Sequence, residues 1–357
     1  MGRLPSHLQK ILEQQLEKER KKKFALPIFL LGFCLFCTFL IYRSLNPPFP
    51  LPQEPPRFYS NQCQTDLRLL YTTAIQRAQK SIHLVMFGLT DLAVLRSLRD
   101  RIRSGVSTTV YYDPKGSGKV HAKLRGASLR PVTQGGLMHQ KILILDRDLV
   151  FLGSANMTAA SLRMHDNLVV GMRSPAVVNF LLEHPPYTSG YLRTMVGGQD
   201  LELWLLPDPR GRVVSDLRHL IRNASRTIKI ALFTFTHAGL CEELIAAKRR
   251  GVAVTVVMDQ YSSLGAGVKI VEQLKSAGVP LFLSQGVQLL HHKFMLIDDQ
   301  TLVCGSANWT KAAFCKNSDC ILTLHQLNSQ QKSFVKNLWG RIVNEAALAQ
   351  KGKGAYS

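Results

Sequence analysis

Two stretches of this chain carry the same reactive side chains at the same spacing. His139-x-Lys141-x4-Asp146-x6-Gly153-Ser154-x-Asn156 is matched by His291-x-Lys293-x4-Asp298-x6-Gly305-Ser306-x-Asn308. A neutral imidazole can attack phosphorus, and a protonated one can release a proton to a departing alkoxide. Lys141 and Lys293, with the amides of Asn156 and Asn308 and the hydroxyls of Ser154 and Ser306, can hold phosphoryl oxygens as charge builds on them. The chemistry this set suits is cleavage or transfer at a phosphodiester, with no metal and no other cofactor required. Asp146 and Asp298 are catalytic candidates too, although their place at a strand-to-turn junction suits structural hydrogen bonding equally well.

The elements that position these groups follow from the spacing. A strand repeats its side-chain direction every two residues, so each His and Lys of a pair faces the same way. Apolar residues 142–145 continue the first strand, 146–148 read as a turn, and 149–152 return, which brings Ser154 and Asn156 back beside His139. Residues 294–297, 298–300 and 302–304 repeat this in the second copy. Gly153 and Gly305 suit a point where backbone must approach a ligand closely.

The repeat extends well beyond the motifs. SIHLVMFGLTD (81–91) aligns with TIKIALFTFTH (227–237), and RSGVSTTVYYD (103–113) with RRGVAVTVVMD (249–259), both at an offset of 146. The motifs themselves are offset by 152, so the second half holds six extra residues before its copy. The apolar runs at 82–89 and 228–235 lack alternation, the mark of strands buried on both faces by helices. The fold class is therefore α/β: two halves, 59–196 and 197–357, packed about a pseudo-twofold axis with one motif each at a shared site.

H-x-K-x4-D followed by G-S-x-N, present twice, resembles the phospholipase D superfamily over roughly residues 60–345. GSANWTKAAF (305–314) is similar to the compact nuclease-type branch, whose members carry one motif and dimerise. With both motifs in one chain, a catalytically complete monomer is expected. The resemblance implies an α/β sandwich and a two-step, metal-free mechanism through a phosphohistidine. It also implies an acidic residue from the opposite half that orients each histidine, near an N-x-E stretch after G-S-x-N. The corresponding stretches are Asn317-Ser318-Asp319 and His165-Asp166-Asn167. Crosswise pairing then puts Asp319 on His139 and Asn167 on His291, which makes His139 the nucleophile and His291 the general acid/base. His121-x-Lys123 is a decoy, because Ser128 occupies the aspartate position and no G-S-x-N follows; its basic loop is either a solvated loop or a rim that guides a polyanion.

Residues 24–42 are uncharged over 19 positions, enough to cross a bilayer core as a helix. Residues 1–23 hold seven basic and three acidic side chains, so the expected topology is a cytoplasmic tail, a single transmembrane anchor and an extracytoplasmic catalytic region. Leu4, Leu8, Ile11, Leu12 and Leu16 stand at helical spacing within the tail, and Pro-rich residues 43–58 read as a semi-rigid spacer. Lys and Arg exceed Asp and Glu by 45 to 24, a net +21 that favours phosphate-rich partners. The seven cysteines lack metal-ligand spacing, and a Cys315–Cys320 disulfide is open to an exported domain. The leading expectation is a membrane-anchored phosphodiesterase acting on phospholipid head groups, with the membrane as partner. The alternatives are a nuclease acting on DNA or RNA, a phosphatidyl transferase of the cardiolipin-synthase kind, and a non-catalytic polyanion-binding scaffold.

Overall fold

The computed structural model describes residues 5–7, 10, 14, 17, 29–38, 46–118, 120–133, 135–284 and 288–352. The chain divides into two compact units, Met1–Pro48 and Phe49–Ser357. In the first, residues 29–38 form helix α1. Among the described residues no helix is long and apolar enough to cross a membrane. The rest of the apolar stretch, 24–28 and 39–42, lies outside the described residues, as do the five spaced apolar residues of the tail.

The second unit opens with β1 (Arg57–Tyr59), and the first half follows as α2 (Leu67–Arg77), β2 (Ser81–Met86), α3 (Leu92–Arg103) and β3 (Ser107–Tyr112). Two short helices, α4 (Pro114–Ser117) and α5 (Val120–Lys123), lead to β4 (Ser128–Pro131). The motif hairpin is β5 (Lys141–Leu145) and β6 (Leu149–Gly153), followed by α6 (Ala159–Arg163), β7 (Val169–Arg173), α7 (Pro175–Glu183) and β8 (Gly190–Val196). After β9 (Gln199–Leu205) the pattern repeats as α8 (Arg212–Asn223), β10 (Thr227–Leu232), α9 (Ala238–Arg249) and β11 (Ala253–Asp259). Next come α10 (Gln260–Leu264), α11 (Val268–Ser276), β12 (Leu281–Ser284), β13 (Lys293–Ile297), β14 (Thr301–Gly305), α12 (Lys311–Cys315), β15 (Cys320–Leu324) and α13 (Ser329–Gly352).

The sheets run β1-β7-β6-β5-β2-β3-β4 and β12-β11-β10-β13-β14-β15-β9-β8. β2 pairs parallel with β3 and antiparallel with β5, and β10 does the same with β11 and β13. The second sheet begins at Gly190, inside the stretch 59–196, because β8 pairs with β9.

Continuous apolar runs are explained by burial on both faces. Ile142, Ile144, Val150 and Leu152 share one core with Phe294, Leu296, Leu302 and Cys304, between the two sheets. Leu143, Leu145 and Phe151 face the other way, against Leu70, Ile75, Val94 and Leu98 of α2 and α3. Met295 and Ile297 likewise meet Leu217, Ile221, Leu240 and Leu244 of α8 and α9.

The Pro-rich stretch departs from the spacer expectation, since from Phe49 onward it lies against the rest of the second unit. Phe49 packs edge-on to Phe151 with centroids 6.0 Å apart, Arg173 Nε donates to Pro50 O at 2.9 Å, and Gln331 Nε2 donates to Pro56 O at 2.7 Å. An aromatic residue and free carbonyls among the prolines give this segment something to bury and something to bond, which composition alone does not reveal.

Candidate active site

Each H-x-K pair sits at the mouth of its central hairpin, where β5 and β13 begin. His139, Lys141, His291 and Lys293 are all buried. Each ammonium turns back onto its own strand: Lys141 Nζ donates to His139 O, and Lys293 Nζ to His291 O at 2.7 Å. Phe87 and Phe233 floor the two pairs. The Phe87 ring centroid lies 5.2 Å from that of His139 and 5.2 Å from Lys141 Nζ; Phe233 stands 5.2 Å from His291 and 5.0 Å from Lys293 Nζ. Neither phenylalanine was singled out from sequence, although they hold the same place in the repeated segments at 81–91 and 227–237.

The halves are stitched crosswise at this mouth. His139 N donates to Ser318 O at 2.7 Å, and His291 N donates to Asp166 O at 3.0 Å. The side chains cross in the same sense: His139 Nδ1 meets Asp319 Oδ1 at 2.8 Å, and His291 Nδ1 meets Asn167 Oδ1 at 3.0 Å. Asn167 Nδ2 donates to Ser161 O and His165 O, so its carbonyl oxygen is the atom that faces His291. Both histidines therefore carry their proton on Nδ1 and present an Nε2 lone pair.

The serines do something other than the sequence suggested. Ser306 Oγ donates to Asp319 Oδ1 at 2.6 Å, and Ser154 Oγ to Asn167 Oδ1 at 2.9 Å. Each also accepts a backbone amide, from Cys320 and Leu168 respectively. Buried with both capacities used, the hydroxyls hold the orienting residues instead of reaching a phosphate. Asn156 and Asn308 differ: both are half-buried, and their Oδ1 atoms have no hydrogen-bond partner among the described residues. A phosphate oxygen is itself an acceptor, so only the Nδ2 end of either carboxamide can serve one.

Electrostatics couple the pairs into one site. Burial pushes the Lys141 ammonium down to about 7, with Asp319 opposing. Burial and then Lys141 push Lys293 well below its usual range. Burial and Lys141 lower His139, and burial with Lys293, Lys141 and His139 lowers His291 further. Burial alone would raise the Asp319 carboxyl, but His139, Lys141 and Ser306 outweigh it and keep it ionised. Four buried basic groups, three of them depressed in part by neighbouring charge, stand around one ionised carboxylate and make a site suited to an anion.

Two expectations are corrected. Asp146 is not at the site: its carboxylate accepts from the amides of Gln79, Lys80 and Ser81, at the opposite end of β5 from Lys141. Asp298 does the same for Ser225, Arg226 and Thr227. Both aspartates adopt φ 52° in their hairpin turns, which a short side chain able to bond nearby backbone tolerates. Gly153 and Gly305 are required by neighbouring strands, not by a ligand, because a Cβ there would meet Leu168 O or Cys320 O at 2.2 Å. Cys315 and Cys320 are free thiols. The decoy pair His121 and Lys123 lies on helix α5 and not at the start of a strand.

One further histidine joins the site unannounced by any motif. The His165 ring lies 6.0 Å from His291, half-buried, and its field helps to depress that imidazole. Asn61 secures the same segment from β1's side, donating to His165 O and accepting from Asn167 N.

A family model described as the PLD-like domain of cardiolipin synthase matches residues 71–184 and 217–339, more than half of the chain. A mitochondrial cardiolipin hydrolase of Xenopus laevis is 34% identical over 119 residues, 32% of this chain and 56% of that protein. The human protein of the same name is 31% identical over 116 residues, 32% of this chain and 45% of that one. The chain thus spans about half the length of the curated relatives it matches. The crystal structure of phosphatidylserine synthase from Haemophilus influenzae has the same fold, with a TM-score of 0.65 at 12% identity over 85% of this chain and 90% of that one. With a duplicated H-x-K pair joined crosswise in one mouth and a family match across both halves, the chain belongs to the phospholipase D superfamily.

Proposed function

We propose that this protein is a phosphodiesterase of phospholipid head groups, working through a phosphohistidine on His139. The observation that carries the reading is the unequal support of two histidines in one site: a carboxylate on His139 Nδ1, a carboxamide on His291 Nδ1. A carboxylate stabilises the cation that develops when Nε2 bonds to phosphorus, so His139 attacks. The P–O bond to the leaving group breaks as His291, protonated on Nε2, passes its proton to the departing oxygen. Neutral His291 then takes a proton from water, which attacks phosphorus and breaks the P–N bond. Burial and the lysines keep His291 neutral by itself. A diester anion between Lys141 and Lys293 reverses that bias and lets it bind the proton it must donate. The lysines and the amides of Asn156 and Asn308 hold the equatorial oxygens.

Lipid as substrate is supported by relatives named for cardiolipin hydrolysis and by the apolar stretch 24–42, which we read as a tether with its basic flank cytoplasmic. The test is a panel of labelled phospholipids, single-stranded and duplex DNA, and RNA, assayed on the full chain with chelator present. Head-group release with phosphate found on His139, in peptide mapping of base-quenched samples kept alkaline because the P–N bond is acid-labile, supports the reading. Phosphate on His291 refutes the assignment, and nucleic-acid cleavage without lipid turnover refutes the substrate class. A primary alcohol added to the assay reports whether an alcohol can replace water in the second step.

A further inference from the structure

The duplication puts a short capping helix at the same point of each half, and the two caps have opposite chemistry. Asp113 follows β3 and accepts from the amides of Lys115 and Gly116 at 2.8 and 3.0 Å; Asp259 ends β11 and accepts from Ser262 N at 3.1 Å. Both caps adjoin the catalytic mouth. Asp113 acts on Lys141 and Asp259 on Lys293, while Ser262 Oγ donates to Thr234 Oγ1 at 2.9 Å, next to Phe233.

Beyond Asp259 the chain exposes large apolar side chains: Tyr261 at 79%, Leu264 at 66% and Val268 at 42%. Beyond Asp113 the corresponding stretch exposes Lys115, Lys123 and Arg125. Two more exposed apolar residues flank the motifs: Leu137, whose amide donates to Asn317 Oδ1 at 3.0 Å, and Met164, beside His165. Exposed apolar residues are ordinary when scattered, but gathered around a reactive mouth they mark a surface that meets something apolar.

We propose that this mouth is a docking surface for an acidic phospholipid bilayer. Tyr261, Leu264 and Val268 enter the boundary between head groups and acyl chains, while Lys115, Lys123 and Arg125 hold anionic head groups. A lipid phosphodiester then meets the two histidines without leaving the bilayer. The occupant follows from charge complementarity: apolar side chains with basic ones beside them match an anionic interface, which offers both hydrocarbon and negative charge. A nucleic acid would engage the basic cap and leave the apolar one in water. The proposal rests on the lipid reading above.

The test uses the full chain reconstituted into vesicles of phosphatidylcholine alone or mixed with phosphatidylglycerol. The parent is compared with Tyr261→Ser/Leu264→Ser and with Lys115→Glu/Lys123→Glu on lipid turnover and on soluble bis(p-nitrophenyl) phosphate. Each variant is expected to lose about tenfold or more in lipid turnover on anionic vesicles, with soluble turnover within about twofold of the parent. Unchanged lipid turnover in the apolar variant overturns the proposal, as does a parallel loss on the soluble diester. Where the parent cleaves no lipid, a fluorophore placed through Leu264→Cys, with the labelled parent as control, reads bilayer contact directly by nitroxide-lipid quenching. Quenching on anionic vesicles then keeps the surface while the lipid-substrate reading falls; no quenching overturns the surface.

Discussion

His139 and His291 have the same motif and different second contacts, and that difference sets their expected behaviour. His139→Ala should lower turnover by about 10⁴-fold or more and abolish the phosphoenzyme. His291→Ala should do less harm with a p-nitrophenolate leaving group, which needs no proton, and should accumulate phosphoenzyme because water is no longer activated; quench-flow would see this as a burst. Asp319→Asn should cost about 10³-fold in kcat, since a neutral carboxamide lacks the charge that stabilises the cation developing on His139. Lys141 gives a pH signature. Its ammonium is held at about 7 and loses its proton as pH rises through that value, whereas a bound anion restores the charge. Tungstate affinity should therefore fall above neutrality, approaching about tenfold per pH unit where binding takes up one proton, and Lys141→Arg should flatten that share of the slope. Calorimetry in buffers of different ionisation heat counts the proton; an affinity independent of pH would disprove the assignment.

Hairpins and their turns explain why each motif ends in aspartate. Asp146 and Asp298 adopt positive φ in the turns and gather three successive amides at the start of the neighbouring parallel-paired strand, β2 or β10. Either aspartate mutated to Ala should lower stability by about 1–3 kcal/mol, visible as a drop in Tm, while kcat per folded molecule stays near the parent value. A kcat loss comparable to that of His291→Ala would return these residues to the chemistry. Ser154 and Ser306 belong to the same kind of explanation. Their position after the glycine was legible as proximity to the histidines, but which partner takes the hydroxyl depends on how β7 and β15 pass behind them.

At the scale of the whole molecule, the two sheets share one apolar layer that includes residues of both central hairpins. Phe49–Ser357 should accordingly unfold in a single cooperative transition, and halves 59–196 and 197–357 expressed apart should aggregate through that uncovered layer. Separately soluble, folded halves would contradict it. Much of this architecture was readable beforehand, because a repeat of reactive residues at constant spacing inside repeated apolar runs constrains both strand direction and buried faces. The pairing of Asp319 with His139 was implied by the family resemblance, and duplication added that the two slots differ. What local sequence could not decide was anything set by a partner distant along the chain. Phe49 and Pro50 dock on the fold, His165 reaches His291, the aspartates leave the site, and the glycines serve a neighbouring strand. Residue type and spacing pointed to phosphodiester chemistry at one shared site; only the tertiary structure decided which groups line that site, since side-chain direction follows from what packs behind each strand.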